Sequence, residues 1–229
     1  MTRVATIDGP AGAGKSTLAR HLAMRLGSRL LDTGAMYRAV TLAALRRGVD
    51  PAQTEPMASL VGELQVEFNE GAVYLDGVDV TSDIRSLQVT EVSKHAANNP
   101  LVRARLVEWQ RKFAQDHATE GIVTEGRDQG TIVFPDAAVK FFVTATLDER
   151  ARRRQAELLD RGEVVQLDKI REAIGERDQR DTERAIAPLK AAHDAFLIDT
   201  TGRSIEELSD LLHSIALSRW PAISTREEM

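Results

Sequence analysis

A glycine-rich segment close to the start of the chain constrains the fold more than any other feature of the sequence. The residues from Gly9 to Ser16 fit the pattern G-x-x-x-x-G-K-[ST] without a mismatch. An apolar, β-branched run from Arg3 to Asp8 precedes the segment, and apolar residues recur at helical spacing from Ser16 to Leu26. A strand, a tight turn and a helix in this order are typical of a parallel α/β sheet.

Strands and helices alternate along most of the remaining sequence. Further strands are predicted at residues 28–32, 121–125, 138–145 and 196–199, and helices at 35–47, 101–117, 148–159 and 167–192, the last bent at Pro188. A Ser204–Glu207 capping box predicts a final helix through Leu217, followed by a polar tail. This alternation favours a doubly wound, parallel five-stranded sheet with helices on both faces, because crossovers between parallel strands are right-handed.

The stretch from Gly62 to Arg85 departs from this alternation. Leu64, Val66 and Phe68 alternate with polar residues, and turns are predicted at 69–71 and 76–77. We therefore expect a small antiparallel β-meander inserted into the α/β chain.

Composition excludes several classes of protein. The chain has 229 residues with 30 Lys and Arg against 35 Asp and Glu, a net charge of −5, whereas a dedicated nucleic-acid-binding protein is usually basic. There is no cysteine, which excludes disulfides and thiolate catalysis, and the five histidines lack metal-ligand spacing. Apolar runs are too short to span a membrane, and Asp8 interrupts the first one, so no signal peptide is predicted. We expect a cytoplasmic protein.

The chemistry of the glycine-rich segment indicates phosphate binding. Its glycines allow backbone N–H groups to surround phosphate oxygens, and the following helix adds the positive end of its dipole. Lys15 would bring a charge to the β- and γ-phosphates of a nucleoside triphosphate, and the Ser16 hydroxyl would ligate Mg²⁺. The predicted binding residues are Gly9, Pro10, Ala11, Gly12, Ala13, Gly14, Lys15, Ser16 and Thr17. The motif does not distinguish a kinase from a GTPase or an ATP-driven machine.

Two arginines lie where a parallel sheet places its ligands. Arg127 directly follows a predicted strand, and Arg38 lies one helical turn beyond residues 32–34. A kinase needs such cations because it holds two anionic substrates close together. Each residue also has a simpler interpretation, namely a local ion pair of Arg127 with Asp128 and a solvated helix position for Arg38.

Two further groups of arginines lie on predicted helices. Arg177, Asp181 and Arg184 share one helical face, where they would either contact a nucleotide or form ordinary surface pairs. The second group is a basic run, which fits either a solvated helix face or a mobile lid that closes over ATP and excludes water. Its members are Arg150, Arg152, Arg153, Arg154 and Arg161.

Together these motifs closely resemble the bacterial cytidylate kinases, a family of nucleoside monophosphate kinases. The matching segments follow the family's order across nearly the whole chain, and they lie at residues 9–17, 31–38, 125–131, 134–137, 176–181 and 184–188. The predicted β-meander matches the enlarged monophosphate-binding region of that family. The fold implied by the resemblance is a P-loop kinase with a helical lid.

The resemblance implies the reaction ATP + CMP ⇌ ADP + CDP, with dCMP also accepted, in pyrimidine nucleotide metabolism. It implies that Lys15, Arg127 and Arg184 are catalytic and that Mg²⁺ acts with ATP. The implied substrate contacts are Thr33, Arg103 and Asp128 with cytosine, Arg38, Arg127 and Arg184 with the CMP phosphate, and Ser93, Arg177 and Asp181 with the pentose.

The implied organisation has five regions. They are a core with the P-loop at 1–45, a monophosphate-binding region with the β-meander at 46–105, core at 106–150, a lid at 151–166 and core at 167–229. A monomer without nucleic-acid or membrane partners is also implied. The chain departs from the family pattern in three places: Thr33 replaces a common serine, Glu125 replaces a common aspartate, and one extra residue stands at 98–100 before Arg103.

From the residues alone, two other functions stay open. One is a P-loop kinase with another acceptor, such as shikimate or a different nucleoside monophosphate. The other is a nucleotide switch or regulatory ATPase, although the guanine-binding tetrapeptide N-K-x-D does not occur in the sequence.

Overall fold

A computed structural model of the chain describes residues 3–69, 71–160 and 162–220. Arg161 of the predicted lid and the polar tail at residues 221–229 lie outside the described residues. The chain forms two compact units, one made of residues up to Arg29 and from His117 onward, the other of Leu30–Asp116.

The elements follow one another along the chain in this way. The strands are β1 (Val4–Asp8), β2 (Arg29–Asp32), β3 (Val66–Asn69), β4 (Ala72–Leu75), β5 (Val78–Asp79), β6 (Ile122–Gly126), β7 (Val139–Thr144) and β8 (Phe196–Asp199). The helices are α1 (Lys15–Leu26), α2 (Thr33–Arg46), α3 (Thr54–Glu63), α4 (Leu87–Asn98), α5 (Pro100–Asp116), α6 (Leu147–Leu159), α7 (Leu167–Glu183) and α8 (Ile205–Arg219). A 3₁₀ turn at Asp83–Arg85 and a π-helical turn at Gln129–Val133 complete the set.

The larger sheet confirms the predicted fold class. Its five strands have the order β2-β6-β1-β7-β8, and β1 pairs in parallel with β6 and β7. All residues of β1 and β6 are buried, as expected for inner strands made of short apolar, β-branched runs. Asp8 is in register with Gly126 and with Phe142, so the segments after β1 and β6 leave the sheet at the same edge.

Helices α6 and α7 pack against each other through a small apolar cluster. Ala151, Leu158, Ile170 and Ile174 are buried there, and the first two come from α6. The cluster contains few large side chains, so it contributes modestly to stability compared with the core around the sheet. The basic run therefore lies on a helical hairpin that has its own apolar contact.

The unit formed by Leu30–Asp116 contains the predicted insertion. Strands β3, β4 and β5 form a separate antiparallel sheet in that order, with Val66 opposite Leu75 and Tyr74 opposite Asp79. Alternate residues of β4 are buried, as the alternation in the sequence predicts.

One helix is much shorter than its sequence predicts. The predicted helix over residues 167–192 is wrong at its end, because α7 ends at Glu183. The Leu189 amide donates to the Asp181 carbonyl at 2.8 Å, and Ala187 has a φ of +52°. Arg184, the residue after the helix, has an extended backbone with a ψ of 137°, so the chain leaves the helix before it reaches Pro188 instead of bending there. Helix α3 and the π-helical turn carried no clear sequence signal and were not predicted.

Two kinds of feature are absent from the part of the chain that the structure describes. No described helix is both long and apolar enough to cross a membrane. Among residues 3–69, 71–160 and 162–220, no group of three or more His, Cys, Asp and Glu side chains has an arrangement that could hold a metal ion.

Candidate active site

The glycine-rich loop between β1 and α1 has a backbone that larger residues could not adopt. A Cβ atom at Gly9 would lie 1.9 Å from the carbonyl oxygen of Val143 on β7, so only glycine fits there. Gly14 precedes α1 with a left-handed φ of +88°. This conformation starts α1 with its unpaired N–H groups at the loop, where an anion is stabilised.

Lys15, the first residue of α1, is buried beside this loop. Its Nζ donates a hydrogen bond of 2.8 Å to the carbonyl of Pro10, and the residue is 6% exposed. Burial, followed by repulsion from Arg127, lowers the pKa of Lys15 to about 7, although Glu125 acts in the opposite direction. Burial thus disfavours the charged form of Lys15, and an anionic phosphate bound beside it would stabilise that form.

Ser16 and Glu125 join α1 to the end of β6. The Ser16 hydroxyl donates a hydrogen bond of 2.5 Å to Glu125 Oε1, and Glu125 is 7% exposed. A hydroxyl and a carboxylate oxygen together are the hard donors that Mg²⁺ prefers, and Mg²⁺ commonly takes only one or two protein ligands beside phosphates and water. These two side chains therefore fit a magnesium ion that arrives with a nucleotide.

Arg127, directly after β6, contacts the end of α7. Its Nε donates to Asp181 Oδ2 at 2.8 Å, and the two side chains are 17% and 20% exposed. Burial raises the pKa of Asp181, but Arg127, Arg177 and Arg184 outweigh it, so the pKa lies below its ordinary value. Three guanidinium groups thus act electrostatically on the Asp181 carboxylate and favour its charged form.

The end of the α7 segment is held by Arg184. Its Nε donates to the carbonyl of Ala187, the residue with left-handed backbone before Pro188. Asp128, which follows Arg127, is 5% exposed. The predicted residues Lys15, Ser16, Arg127, Asp128, Arg177, Asp181 and Arg184 all belong to one unit.

Two arginines of α6 point inward. Arg150, which is 7% exposed, donates to the carbonyl of Ala11 in the glycine-rich loop at 3.1 Å and pairs with Asp178 of α7. Arg153 donates to Thr200 Oγ1 at 2.9 Å. A uniformly solvated helix face therefore does not describe this run, although Arg152 is 67% exposed and Arg154 pairs with Glu157.

Thr200 connects the other side of the loop. It is 1% exposed and its Oγ1 lies 3.2 Å from the carbonyl of Ala13 and 3.1 Å from that of Thr144. Two carbonyls of the glycine-rich loop, those of Ala11 and Ala13, are thus held by side chains from distant parts of the sequence. Sequence reasoning missed Thr200, because its only signal is a threonine directly after a predicted strand.

In the other unit, the start of α2 holds Thr33 and Arg38. Thr33 is 4% exposed, and Asp32 caps the helix by accepting from the Ala35 amide at 2.8 Å. Arg38 Nη2 lies 3.4 Å from Asp32 Oδ2. Its buried Nε has no hydrogen-bond partner among the described residues. A buried donor of this kind is costly unless a ligand accepts from it.

The remaining predicted residues of that unit lie on α4 and α5. Arg103 is 5% exposed and donates to the Tyr37 hydroxyl at 3.2 Å, with its guanidinium 6.0 Å from the ring centroid. The Ser93 hydroxyl donates to the carbonyl of Thr90 at 2.8 Å. Tyr37 was missed as a partner of Arg103, although it belongs to the segment 31–38 on which the resemblance rests.

Asp8 is a second group that sequence reasoning did not place in the site. It is 4% exposed at the end of β1 and accepts hydrogen bonds from the amides of Gln129 and Gly130. Burial raises its pKa to about 6 despite these two bonds, and repulsion from Asp128 acts in the same direction. The available signal is a carboxylate at the end of an otherwise apolar strand.

Comparisons with known proteins agree with this geometry. The family model described as "Cytidylate kinase" matches residues 5–217. The cytidylate kinase of Paraburkholderia phymatum is 45% identical over 207 residues, covering 90% of both chains, and that of Pseudomonas savastanoi pv. phaseolicola is 46% identical over 221 residues, covering 93% of this chain and 95% of the relative.

Solved structures support the fold only. TT1252 from Thermus thermophilus covers 95% of this chain and 97% of its own length with 18% identity and a TM-score of 0.52. An uncharacterized protein from Eubacterium ventriosum covers 96% and 100%, with 14% identity and a TM-score of 0.54.

Proposed function

The chain belongs to the cytidylate kinase family, and from this premise we propose how its residues carry out that family's reaction. The protein is an ATP-dependent nucleoside monophosphate kinase, which transfers the γ-phosphoryl group of ATP to CMP or dCMP and gives ADP with CDP or dCDP. One observation supports the roles that we assign to these residues. Lys15 and the Arg127–Asp181 pair lie in the same unit, and repulsion from Arg127 lowers the pKa of Lys15.

The donor nucleotide is assigned to residues 9–17. The backbone N–H groups at the start of α1 bind the phosphates, and Lys15 exchanges its bond to the Pro10 carbonyl for the β- and γ-phosphate oxygens. Ser16 and Glu125 are the side chains that would hold Mg²⁺ when it arrives with the nucleotide. When bound, Mg²⁺ neutralises charge on the phosphate oxygens.

The acceptor needs no general base, because the phosphate of CMP is already an anionic nucleophile. The work of the protein is alignment and charge neutralisation. Arg127 and Arg184 hold the acceptor oxygen in line with the γ-phosphorus, and Arg38 binds the same phosphate through its buried Nε. Lys15, Arg127 and Arg184 are the catalytic residues of this proposal.

Base and sugar contacts complete the acceptor site. Thr33, Arg103 and Asp128 recognise cytosine, and Ser93, Arg177 and Asp181 contact the pentose. The N4 amino group of cytosine is a donor and suits the carboxylate of Asp128, whereas uracil presents an acceptor at that position. The proposal therefore includes preference for CMP over UMP.

The remaining parts of the proposal concern organisation. Residues 151–166 act as a lid whose arginines exclude water, since hydrolysis of ATP competes with transfer. Residues 46–105 form the monophosphate-binding region between core segments at 1–45, 106–150 and 167–229. The protein acts as a monomer on small molecules in the cytoplasm, where ATP and CMP are available, and needs no nucleic-acid or membrane partner.

The test is the release of ADP from MgATP, measured separately with CMP, dCMP, UMP, AMP and shikimate. Fast turnover with CMP and dCMP alone is expected. Turnover with another acceptor would keep the role of the glycine-rich loop but refute the cytosine site. Slow hydrolysis that does not depend on any acceptor would refute the kinase assignment and favour a regulatory ATPase.

A further inference from the structure

Asp8 is a buried carboxylate that has no role in the proposed function. It connects the glycine-rich loop to the segment after β6, and both of these segments carry residues of the proposed active site. Asp8 ends β1, directly before the glycine-rich loop that contains Lys15 at its far end. One carboxylate oxygen accepts from the Gln129 amide at 2.9 Å and the other from the Gly130 amide at 2.8 Å. These amides directly follow Arg127 and Asp128 in the sequence.

The backbone of residues 129–130 fits closely against β1. A Cβ atom at Gly130 would lie 2.9 Å from Thr6 Oγ1 and 3.4 Å from Asp8 Oδ2, so the segment could not approach this closely with a larger residue. Gln129 is 1% exposed, and its Oε1 accepts from the Thr124 hydroxyl at 3.0 Å. The segment is thus fixed from β1 and from β6.

A carboxylate suits this place for a geometric reason. Two neighbouring N–H groups point at two separate oxygens, and only an ionised carboxylate presents an acceptor to both. An asparagine would turn its amide NH₂ toward one of the N–H groups. A buried charge is costly, and apolar packing could provide the same stability. A carboxylate at this place therefore indicates that the position of residues 129–130 matters as well as the stability of the fold.

We propose that Asp8 is a positioning residue for phosphoryl transfer, which holds Arg127 and Asp128 at a fixed distance from Lys15 by binding the Gln129 and Gly130 amides. This inference rests on the proposed function, because it concerns the alignment of that reaction. In-line transfer is sensitive to displacements of about 1 Å, and Asp8 is the last residue of β1, directly before Gly9 of the phosphate-binding loop.

The test compares the variants Asp8→Asn and Thr6→Val. We expect Asp8→Asn to lower kcat with CMP by about 10- to 100-fold and to raise the KM for CMP. The affinity for MgATP, titrated with a fluorescent ATP analogue, should change by less than about twofold, because the glycine-rich loop itself is intact.

Thr6→Val is the matched control. Thr6 lies on the same strand, its Oγ1 is buried, and that oxygen has no hydrogen-bond partner among residues 3–69, 71–160 and 162–220. Valine places a methyl group of similar size against the same Gly130 segment and leaves both bonds of Asp8 in place, so this variant should keep kcat and KM within about threefold of the wild type. An Asp8→Asn variant with wild-type kcat would overturn the inference. So would an equal loss of affinity for both substrates, because that result indicates a general structural role.

A second measurement does not depend on a folded variant. Amide hydrogen exchange of the wild-type protein at pH 7.5, without substrate, should show Gln129 and Gly130 protected as strongly as the amides of β1. Rapid exchange of both amides would refute the hydrogen bonds on which the inference depends. If the wild-type protein does not phosphorylate CMP, the proposed function fails. If it does and Asp8→Asn is unaffected, only this inference fails.

Discussion

Arg127 and Asp181 are 54 residues apart in the sequence, and the Nε of the first lies 2.8 Å from Oδ2 of the second. The pair joins the segment after β6 to the last turns of α7. Two simpler interpretations of these residues were a local pair of Arg127 with Asp128 and surface pairing along the helix. The observed ionic partner of Arg127 is instead Asp181, and both side chains are mostly shielded from water. The carboxylate thus fixes the direction of a guanidinium that is proposed to bind the CMP phosphate.

Asp181→Asn should therefore weaken the binding of CMP more than it slows turnover. Loss of the charge releases Arg127, and we expect the KM for CMP to rise by about tenfold, as for the loss of one charged hydrogen bond, with a smaller change in the KM for MgATP. Initial rates at varied CMP and at varied MgATP measure both constants. Asp168→Asn is the control, because Asp168 lies on the same helix in an exposed pair with Arg171. Equal effects of the two variants would contradict the assignment of Asp181.

Lys15→Ala should abolish most turnover and leave the fold intact. Removal of one preorganised donor to a developing charge costs about 10²- to 10³-fold in kcat. The stability cost should be small, because Lys15 is buried at the expense of its charge, as its lowered pKa of about 7 indicates. Activity assays and thermal denaturation together test this. If the variant is unfolded at the assay temperature, Lys15 has a structural role.

Asp128→Ala should narrow the preference for CMP over UMP. A carboxylate that accepts from the cytosine N4 amino group repels the uracil O4, and a correct base contact is worth about 1–3 kcal/mol of discrimination. The ratio of kcat/KM for CMP to that for UMP is the quantity to measure. An unchanged ratio in a folded, active variant would show that Asp128 does not recognise the base.

Thr200→Val tests how the glycine-rich loop is held from outside. The Thr200 hydroxyl lies between the carbonyls of Ala13 and Thr144 and accepts from Arg153. The variant loses a buried hydrogen bond worth about 1 kcal/mol. Because this bond holds the loop that is proposed to bind MgATP, the KM for MgATP should rise by about fivefold and the KM for CMP should not change. Thr41→Val removes a hydroxyl that is equally buried and bonds to the carbonyl of Tyr37, so it should leave the KM for MgATP unchanged. If the KM for CMP rises more than the KM for MgATP, Thr200 does not act through the glycine-rich loop.

The parts of the fold that the sequence predicted correctly depend on local signals. The strand, loop and first helix follow from a β-branched run, from glycines and from helical spacing, all within residues 3–26. The antiparallel insertion follows from alternation between Gly62 and Arg85. The end of α7 was not predicted, because neither the extended backbone of Arg184 nor the bond from the Leu189 amide to the Asp181 carbonyl has a local signal in the sequence.

In the candidate active site too, the sequence predicted residues that belong to a local motif and did not predict contacts between residues far apart in the chain. Lys15 and Ser16 are identified by a motif of eight residues, Gly9–Ser16, and family membership is confirmed over most of the chain. The roles of all the site residues, those of Arg38, Ser93 and Arg103 as much as that of Lys15, stay predictions that mutagenesis has to test. The contacts of Asp8 with Gln129 and of Arg150 with Ala11 join residues 121 and 139 positions apart, and no local pattern encodes which partner such a side chain meets.

The buried carboxylate of Asp8 should also give the protein a specific dependence of stability on pH. Burial raises its pKa from 3.8 to about 6, so the folded state holds its proton more tightly than the unfolded state. The contribution of Asp8 to stability is fully present below its ordinary pKa and is lost as the pH rises through about 6. The free energy of unfolding of the wild type, minus that of Asp8→Asn, should therefore fall by about 2 kcal/mol between about pH 4.5 and 7.5. Urea denaturation of both proteins across this range measures the difference, in which the titrating groups that do not interact with Asp8 cancel. A difference that is constant with pH would mean that Asp8 titrates at the same pH in the folded and unfolded chains.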